Sequence, residues 1–147
     1  MNALLRIVLI AIALTSTSAC FGQSGTHACN LMTLDDAKSL IGAEAVLQKD
    51  SSSDNHCYYR SDDGAAYLHV TQGASGHMWT DYKATGKQVK GVGDEAYFYP
   101  TGNPLGNTLA VRKGDTIFII NARANNLSDD EMEKRELAYS RKIASRL

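Results

Sequence analysis

The stretch that most constrains the fold of this chain is a predicted β-hairpin over residues 108–123. Leu109 and Val111 alternate with other residues on its first arm, and Gly114 lies in the reversal. Glycine in a tight turn between two such arms is a strong hairpin signal. The second arm contains the apolar, mostly β-branched run IFII at residues 117–120. An unbroken run of this kind predicts a central strand that is buried on both faces.

Helices are predicted near the two ends of the chain. Thr33 is a suitable N-cap for the first helix, and Gly42 ends its apolar pattern. The expected buried face of this helix consists of Leu34, Ala37, Leu40 and Ile41. Ser128 and Glu131 form a capping-box pattern at the start of the last helix. Its expected buried face consists of Met132, Ser140, Ile143, Ala144 and Leu147.

Further strands are predicted over residues 45–48, 57–60, 65–72 and 95–99. A short helix is predicted over residues 77–84, with turn-rich connectors over 86–93 and 100–107. Strands joined by short turns pair antiparallel, and amphipathic helices bury their apolar stripes against such a sheet. The predicted fold class is therefore α+β, an antiparallel β-sheet with an N-terminal and a C-terminal helix packed on it.

Residues 1–19 have the layout of a secretory signal peptide. One cation, Arg6, lies in an otherwise apolar run that extends to Leu14, and a small polar stretch follows. The apolar part is short for a transmembrane helix, although an uncleaved membrane anchor is the alternative. We therefore expect an exported chain with a flexible tether over residues 20–28 and a single α+β domain over residues 29–147.

Cys20 directly follows the expected signal peptide. The run TSAC at residues 17–20 resembles the lipobox of bacterial lipoproteins, in which the cysteine is acylated before cleavage. The run departs from that family at Thr17, where an aliphatic residue is usual. The resemblance implies a membrane anchor through lipidated Cys20, with the domain facing the periplasm or the cell surface. Ordinary cleavage near Ala19 or Gly22 would instead produce a soluble secreted protein.

The chain has three cysteines, and lipidation of Cys20 leaves Cys29 and Cys57. In an oxidising compartment these two are expected to form a disulfide. It would close a loop of roughly 28 residues and contribute about 3 kcal/mol in the chain-entropy model. A redox-active or metal-binding pair is the alternative, but the C-x-x-C spacing typical of such pairs is absent.

The charge balance gives no support to nucleic-acid binding. Without residues 1–19 the chain has 14 Lys and Arg against 16 Asp and Glu, a formal charge of −2. The basic residues are scattered along the sequence rather than clustered, whereas a phosphate backbone is bound by a concentrated basic surface. We therefore expect no nucleic-acid partner.

The known motifs for cofactors, metals and catalysis do not fit this sequence. The pattern G-x-G-x-x-A at residues 91–96 runs into a predicted strand, whereas a dinucleotide fingerprint opens a helix. Asp94 and Glu95 are adjacent and would point to opposite sides of a strand. The four histidines show no zinc-helix spacing, and His69 is interpreted as a half-exposed strand residue. We predict no catalytic residues, no metal and no cofactor.

Two short phrases of the sequence resemble a loose group of small bacterial envelope lipoproteins. They are GVGDEAY at residues 91–97 and VRKGD at residues 111–115. The placement of Cys29 before the first helix and of Cys57 before Tyr58 also fits that group. The resemblance implies an α+β domain in the cell envelope, and it carries over no catalytic residue.

One segment has the composition of a recognition surface. His77, Met78, Trp79 and Tyr82 lie close together, and aromatic residues with a polar end are enriched at protein interfaces. They form the candidate partner-facing patch, unless Trp79 and Tyr82 instead cap the core. The predicted function is a non-catalytic, lipid-anchored module that binds another envelope protein. The alternatives are an inhibitor or immunity protein of an exported hydrolase, presenting the loop 100–107, or a small-ligand binder or enzyme.

Overall fold

An antiparallel β-sheet of seven strands forms the centre of the molecule. The structure is a computed structural model that describes residues 28–73, 76–100 and 107–147. The predicted signal peptide, Cys20, most of the predicted tether and the loop 101–106 lie outside the described residues.

The strands are β1 (Ala45–Leu47), β2 (His56–Ser61), β3 (Ala66–Gln72), β4 (Lys87–Val89), β5 (Glu95–Pro100), β6 (Asn107–Lys113) and β7 (Thr116–Ala124). The helices are α1 (Ala28–Leu31), α2 (Leu34–Ile41), α3 (Gly76–Thr85) and α4 (Asp129–Ala144), with a short 3-10 turn at Lys49–Ser51. The strand order across the sheet is β1-β2-β3-β7-β6-β5-β4. All of the strand pairs are antiparallel. The fold class is therefore α+β, as predicted.

The predicted hairpin is confirmed as β6 and β7, and β7 lies at the centre of the sheet. Gly114 in the turn has a φ of +56°, a conformation that glycine adopts without a steric cost. Phe118 and Ile120 are fully buried on one face, and Ile119 on the other face is only 6 % exposed. The apolar run at residues 117–120 thus lies in a central strand that has buried side chains on both faces.

Helices α1, α2 and α4 pack on one face of the sheet, which we call the core face. Helix α4 contacts β6 and β7, whereas α1 and α2 contact the strands on the β1 to β3 side. The alternation in β3 places Ala66, Leu68 and Val70 in this core, as its pattern predicts. The N-terminal and C-terminal helices therefore form one layer on one side of the sheet.

A disulfide joins Cys29 in α1 to Cys57 in β2, as predicted. The two Cα atoms are 4.9 Å apart, and Cys57 is fully buried. Helix α1 begins at Ala28, one residue before the predicted start of the domain, and Ala28 itself is fully buried. The disulfide attaches this short helix to the sheet.

The buried faces of both helices differ from the predicted ones at single positions. Leu34 is 39 % exposed, whereas Asp36 is buried and completes a capping box with Thr33 at the start of α2. Leu147 is 44 % exposed because α4 ends at Ala144, and Glu136 is buried instead. In both helices a carboxylate occupies an inward position because it has a specific hydrogen-bond donor there, which an apolar pattern does not predict.

The connector predicted over residues 86–93 contains a strand. Its first half is β4, a three-residue edge strand that pairs with β5. Its second half is the predicted tight turn, in which Gly91 and Gly93 have φ values of +75° and +57°. These glycines therefore serve a turn that leads into β5, and the turn is not the start of a nucleotide-binding helix.

Candidate functional site

The second face of the sheet, which we call the outer face, carries a row of polar and aromatic side chains. The strand registers align one residue from each of five strands in this row: Tyr58, His69, Asn121, Thr108 and Tyr99. Successive side chains of a strand point to opposite faces, so these residues point away from the buried core face. The sheet is therefore apolar under α1, α2 and α4 and amphipathic on its other side.

Helix α3 lies on the outer face at β5. The ring of Trp79 meets that of Tyr97 edge to face with centroids 5.6 Å apart, and Tyr82 meets Tyr99 in the same manner at 5.5 Å. The guanidinium of Arg112 lies over the Trp79 ring at 5.8 Å. Aromatic pairs of this geometry add about 0.5–1.5 kcal/mol to the burial of their surfaces. These contacts hold α3 on the sheet.

A short ion-pair network supports the same contact. Glu95 on β5 accepts hydrogen bonds from Lys83 of α3 at 3.1 Å and from Arg112 of β6 at 3.0 Å. The hydrogen bond from Lys83 is the main reason that the pKa of Glu95 lies below its usual value. The neighbouring Asp94 binds Lys113 and the backbone N–H of Gly114. Asp94 and Glu95 are thus both engaged in structural contacts.

The structure divides the predicted partner-facing patch into two parts. Trp79 and Tyr82 are half-buried because they pack on β5, whereas His77 and Met78 are exposed. No residue of α3 is fully buried. The helix therefore presents one edge to the sheet and leaves the remainder on the surface.

A second aromatic cluster, which we call the β2–β3 cluster, lies on the outer face away from α3. It consists of His56, Tyr58, Tyr67 and His69. The Tyr58 ring meets His69 edge to face at 6.1 Å and lies 6.4 Å from the ring of Tyr67. The three inner side chains are half-buried, and His56 at the rim is exposed. The predicted strands already place Tyr58 and Tyr67 next to each other, whereas the contacts of His56 and His69 with these strands' rings were not predicted.

The two histidines of the β2–β3 cluster are in direct contact. His56 Nδ1 lies 3.2 Å from His69 Nε2 and 3.2 Å from the hydroxyl of Thr71. Burial, together with the charge of His56, lowers the pKa of His69. The 13-residue separation of these histidines matches no familiar motif. Their contact follows from the register in which β2 pairs with β3.

A buried carboxylate lies on the opposite side of the sheet. Glu136 of α4 is 1 % exposed, and its Oε1 accepts a hydrogen bond from the backbone N–H of Ala122 at 3.0 Å. Its Oε2 and the hydroxyl of Ser140 have no hydrogen-bond partner among the described residues. Burial raises the pKa of Glu136 well above its usual value. The carboxyl group is closed off from solvent, so it is not available to a substrate.

An open cleft of about 540 Å³ lies at the β1 end of the molecule. Its lining includes Glu44, Asp62, Asp63 and Asn125, which belong to three separate turns. Hydrogen bonds from Ser61 and the backbone of Ala65 lower the pKa of Asp63 and fix its position. The cleft is large enough for a small ligand.

The described ranges contain neither a cluster of three metal-ligating side chains nor a membrane-spanning helix. No three His, Cys, Asp or Glu side chains converge there on a point where they could hold a metal ion. No helix in those same ranges is long and apolar enough to cross a bilayer. No protein-family model matches the sequence, and it is similar to no curated protein sequence and to no solved structure. The function is therefore inferred from the geometry of the outer face.

Proposed function

We propose that this protein is a non-catalytic module of the cell envelope, anchored through lipidated Cys20, that binds another protein with the outer face of its sheet. One observation carries the proposal. The outer face groups partly exposed rings with polar ends beside an exposed helix edge, while the core face is covered by helices.

The β2–β3 cluster has the chemical character of an interface. Tyrosine combines a large apolar ring with a polar end and has few rotatable bonds, so fixing it in a complex costs little conformational entropy. Tyr58 is already held against His69 and Tyr67, which reduces that cost further. Met78 on α3 is 43 % exposed and adds a flexible apolar contact to the same side of the molecule.

The state of the acidic residues favours binding over catalysis. Asp94 and Glu95 are held by cations and by backbone, and the pKa of each is lowered. Carboxylates held in this way are poor proton donors near neutral pH, whereas a general acid needs a raised pKa in a cleft. The buried Glu136 has a raised pKa but no access to solvent.

Site-specific photocrosslinking in cells tests the proposed interface. A photoreactive amino acid at Tyr58 is expected to yield one saturable, one-to-one crosslinked protein. The same probe at Ala138, which is exposed on α4 on the opposite side, is the matched control and should yield no such product. A Tyr58→Ala change should reduce capture by the probe placed at Met78 at least about fivefold, as expected for a binding hot spot. Equal crosslinking from both sites would refute the proposal.

The proposed anchor has a separate test. Cys20→Ser is expected to move the protein from the membrane fraction to the soluble fraction, because the acyl chains would be lost. Cys29 is no substitute for the missing anchor site, since it is held in a disulfide. A Cys20→Ser protein that remains in the membrane fraction would show that lipidation at this position is not the anchor.

A second candidate function, binding of a small ligand, is favoured by the cleft at the β1 end. Its carboxylates would suit a small organic cation. Thermal unfolding in the presence of small amines tests this candidate. A shift that disappears when Ala43 in the cleft lining is replaced by tryptophan would support it, and the absence of any shift would exclude amines as ligands.

A further inference from the structure

His56 and His69 are brought together by the pairing of β2 with β3. The register sets His56 opposite Thr71 and Tyr58 opposite His69, so the two histidines are diagonal neighbours on the outer face. Diagonal neighbours in an antiparallel pair lie within reach of long or aromatic side chains. Their facing nitrogens, His56 Nδ1 and His69 Nε2, are 3.2 Å apart.

We propose that His56 and His69 form a two-imidazole binding site for one divalent transition-metal ion, Zn²⁺ or Cu²⁺. Imidazole nitrogen suits both ions, and zinc–nitrogen bonds are about 2.0–2.1 Å long. Two nitrogens bound to one tetrahedral ion are then about 3.3 Å apart. The observed distance of 3.2 Å between the two nitrogens is therefore close to the distance between two nitrogen ligands of one ion, so the strands need not move for the ion to bind.

The geometry of the cluster supports this site beyond the one distance. Both histidines stand on paired strands, which hold ligands more firmly than loops do. The ring of Tyr58 lies edge to face against His69, which restricts the rotation of that imidazole. His56 is exposed, so an ion reaches the pair from solvent. Because the two side chains are already positioned, ion binding loses little conformational entropy and the affinity is higher for that reason.

The site is expected to be open, with two protein ligands. No third His, Cys, Asp or Glu side chain converges on the pair within the described ranges, so water or a donor from a bound partner would complete the coordination. The hydroxyl of Thr71, 3.2 Å from His56 Nδ1, is placed to bond with such a water. Mg²⁺ prefers oxygen ligands and is not expected to bind.

Isothermal titration of the untagged full chain with ZnCl₂ and CuCl₂ tests the proposal. We expect one ion per chain, and we expect His56→Asn and His69→Asn each to weaken binding at least about tenfold. His77→Asn is the matched control, because His77 is an exposed histidine on α3 and should leave the affinity unchanged. MgCl₂ should give no saturable signal.

The competing explanation is a hydrogen bond between two imidazoles with no metal, which is compatible with the same 3.2 Å distance. It predicts no saturable Zn²⁺ or Cu²⁺ binding, or binding that His56→Asn does not change, and either result overturns the proposal. The exposed position of His56 keeps this test valid, since its replacement is not expected to unfold the domain. In NMR spectra the ring protons of His56 and His69 should shift together on Zn²⁺ addition while those of His77 stay constant.

Discussion

Replacing Glu136 with glutamine should change how the stability of this protein depends on pH. The carboxyl group is 1 % exposed, and burial holds its pKa well above the usual 4.5, with the charge of Glu133 acting in the same direction. Glu136→Gln retains an oxygen that can accept the hydrogen bond from Ala122. The change therefore removes the titration and preserves the shape and the contact.

The sign follows from proton binding. Above pH 4.5 the unfolded chain releases the proton of Glu136, whereas the folded protein keeps it until the pH reaches the raised pKa. The folded state then binds more protons than the unfolded state, so this group's contribution to stability is complete below pH 4.5 and is lost as the pH rises. The slope of this loss cannot exceed the value for one proton, about 1.4 kcal/mol per pH unit.

Urea unfolding of both proteins at a series of pH values measures the effect. Below pH 4.5 the two free energies of unfolding should be similar, and above it the glutamine variant should become progressively more stable than the wild type. Glu44→Gln is the matched control, because Glu44 is exposed and the same chemical change there should leave the pH profile unchanged. A constant difference between wild type and Glu136→Gln across this range would refute the reasoning.

Three further predictions concern other parts of the fold. Gly93→Ala should destabilise the protein by at least about 2 kcal/mol, because the added Cβ would lie 2.4 Å from a backbone oxygen of β6. Gly114→Ala is the control: its φ is nearly the same but the space around it is open, so it should cost about 1 kcal/mol. Similar urea midpoints for the two variants would contradict the proposed contact. Burial tends to raise the pKa of Asp36, but hydrogen bonds from Lys142 of α4 and from the N-cap Thr33 outweigh burial and lower that pKa. Asp36→Asn should therefore reduce the free energy of unfolding by about 1 kcal/mol near pH 7. That cost should diminish as the pH falls below 3.8, and a deficit that persists in acid would exclude an ionic origin. Replacing Cys29 and Cys57 together with serine should lower the free energy of unfolding by about 3 kcal/mol, whereas an unchanged midpoint would show that the disulfide adds no stability.

Much of the fold could be predicted because it depends on local patterns. The apolar run at residues 117–120 has a single satisfactory environment, the middle of a sheet, and it occupies that position. Caps at Thr33 and Ser128 lie where their side chains accept the backbone N–H groups of the first helical turn. The disulfide was predicted by counting cysteines. These features depend on neighbours in the sequence or on a very small number of candidates.

The predictions failed where a side chain's environment is set by a distant element. Leu34 fits the apolar stripe of α2, yet it is exposed, while Asp36 is buried because Lys142 of α4 reaches it. Glu136 reads as a surface residue of a polar helix, but α4 crosses the sheet where the N–H of Ala122 needs an acceptor. Lys142 is 106 residues from Asp36 and Ala122 is 14 residues from Glu136, so no periodicity indicates these two contacts.

Local sequence patterns predicted most of the strands, the helices α2, α3 and α4, and the pairing of Cys29 with Cys57, because hydrophobic period, caps and turns act over a few residues. They did not predict the short elements α1 and β4. What the outer face presents depends instead on how distant strands and α3 pack in the folded protein. The order of strands set α3 against β5, which made Trp79 and Tyr82 packing residues and left His77 and Met78 exposed. The register of β2 and β3 placed two histidines 13 residues apart in contact. A shift of one residue in that register would turn one strand's side chains to the other face, so the site exists only in the paired sheet.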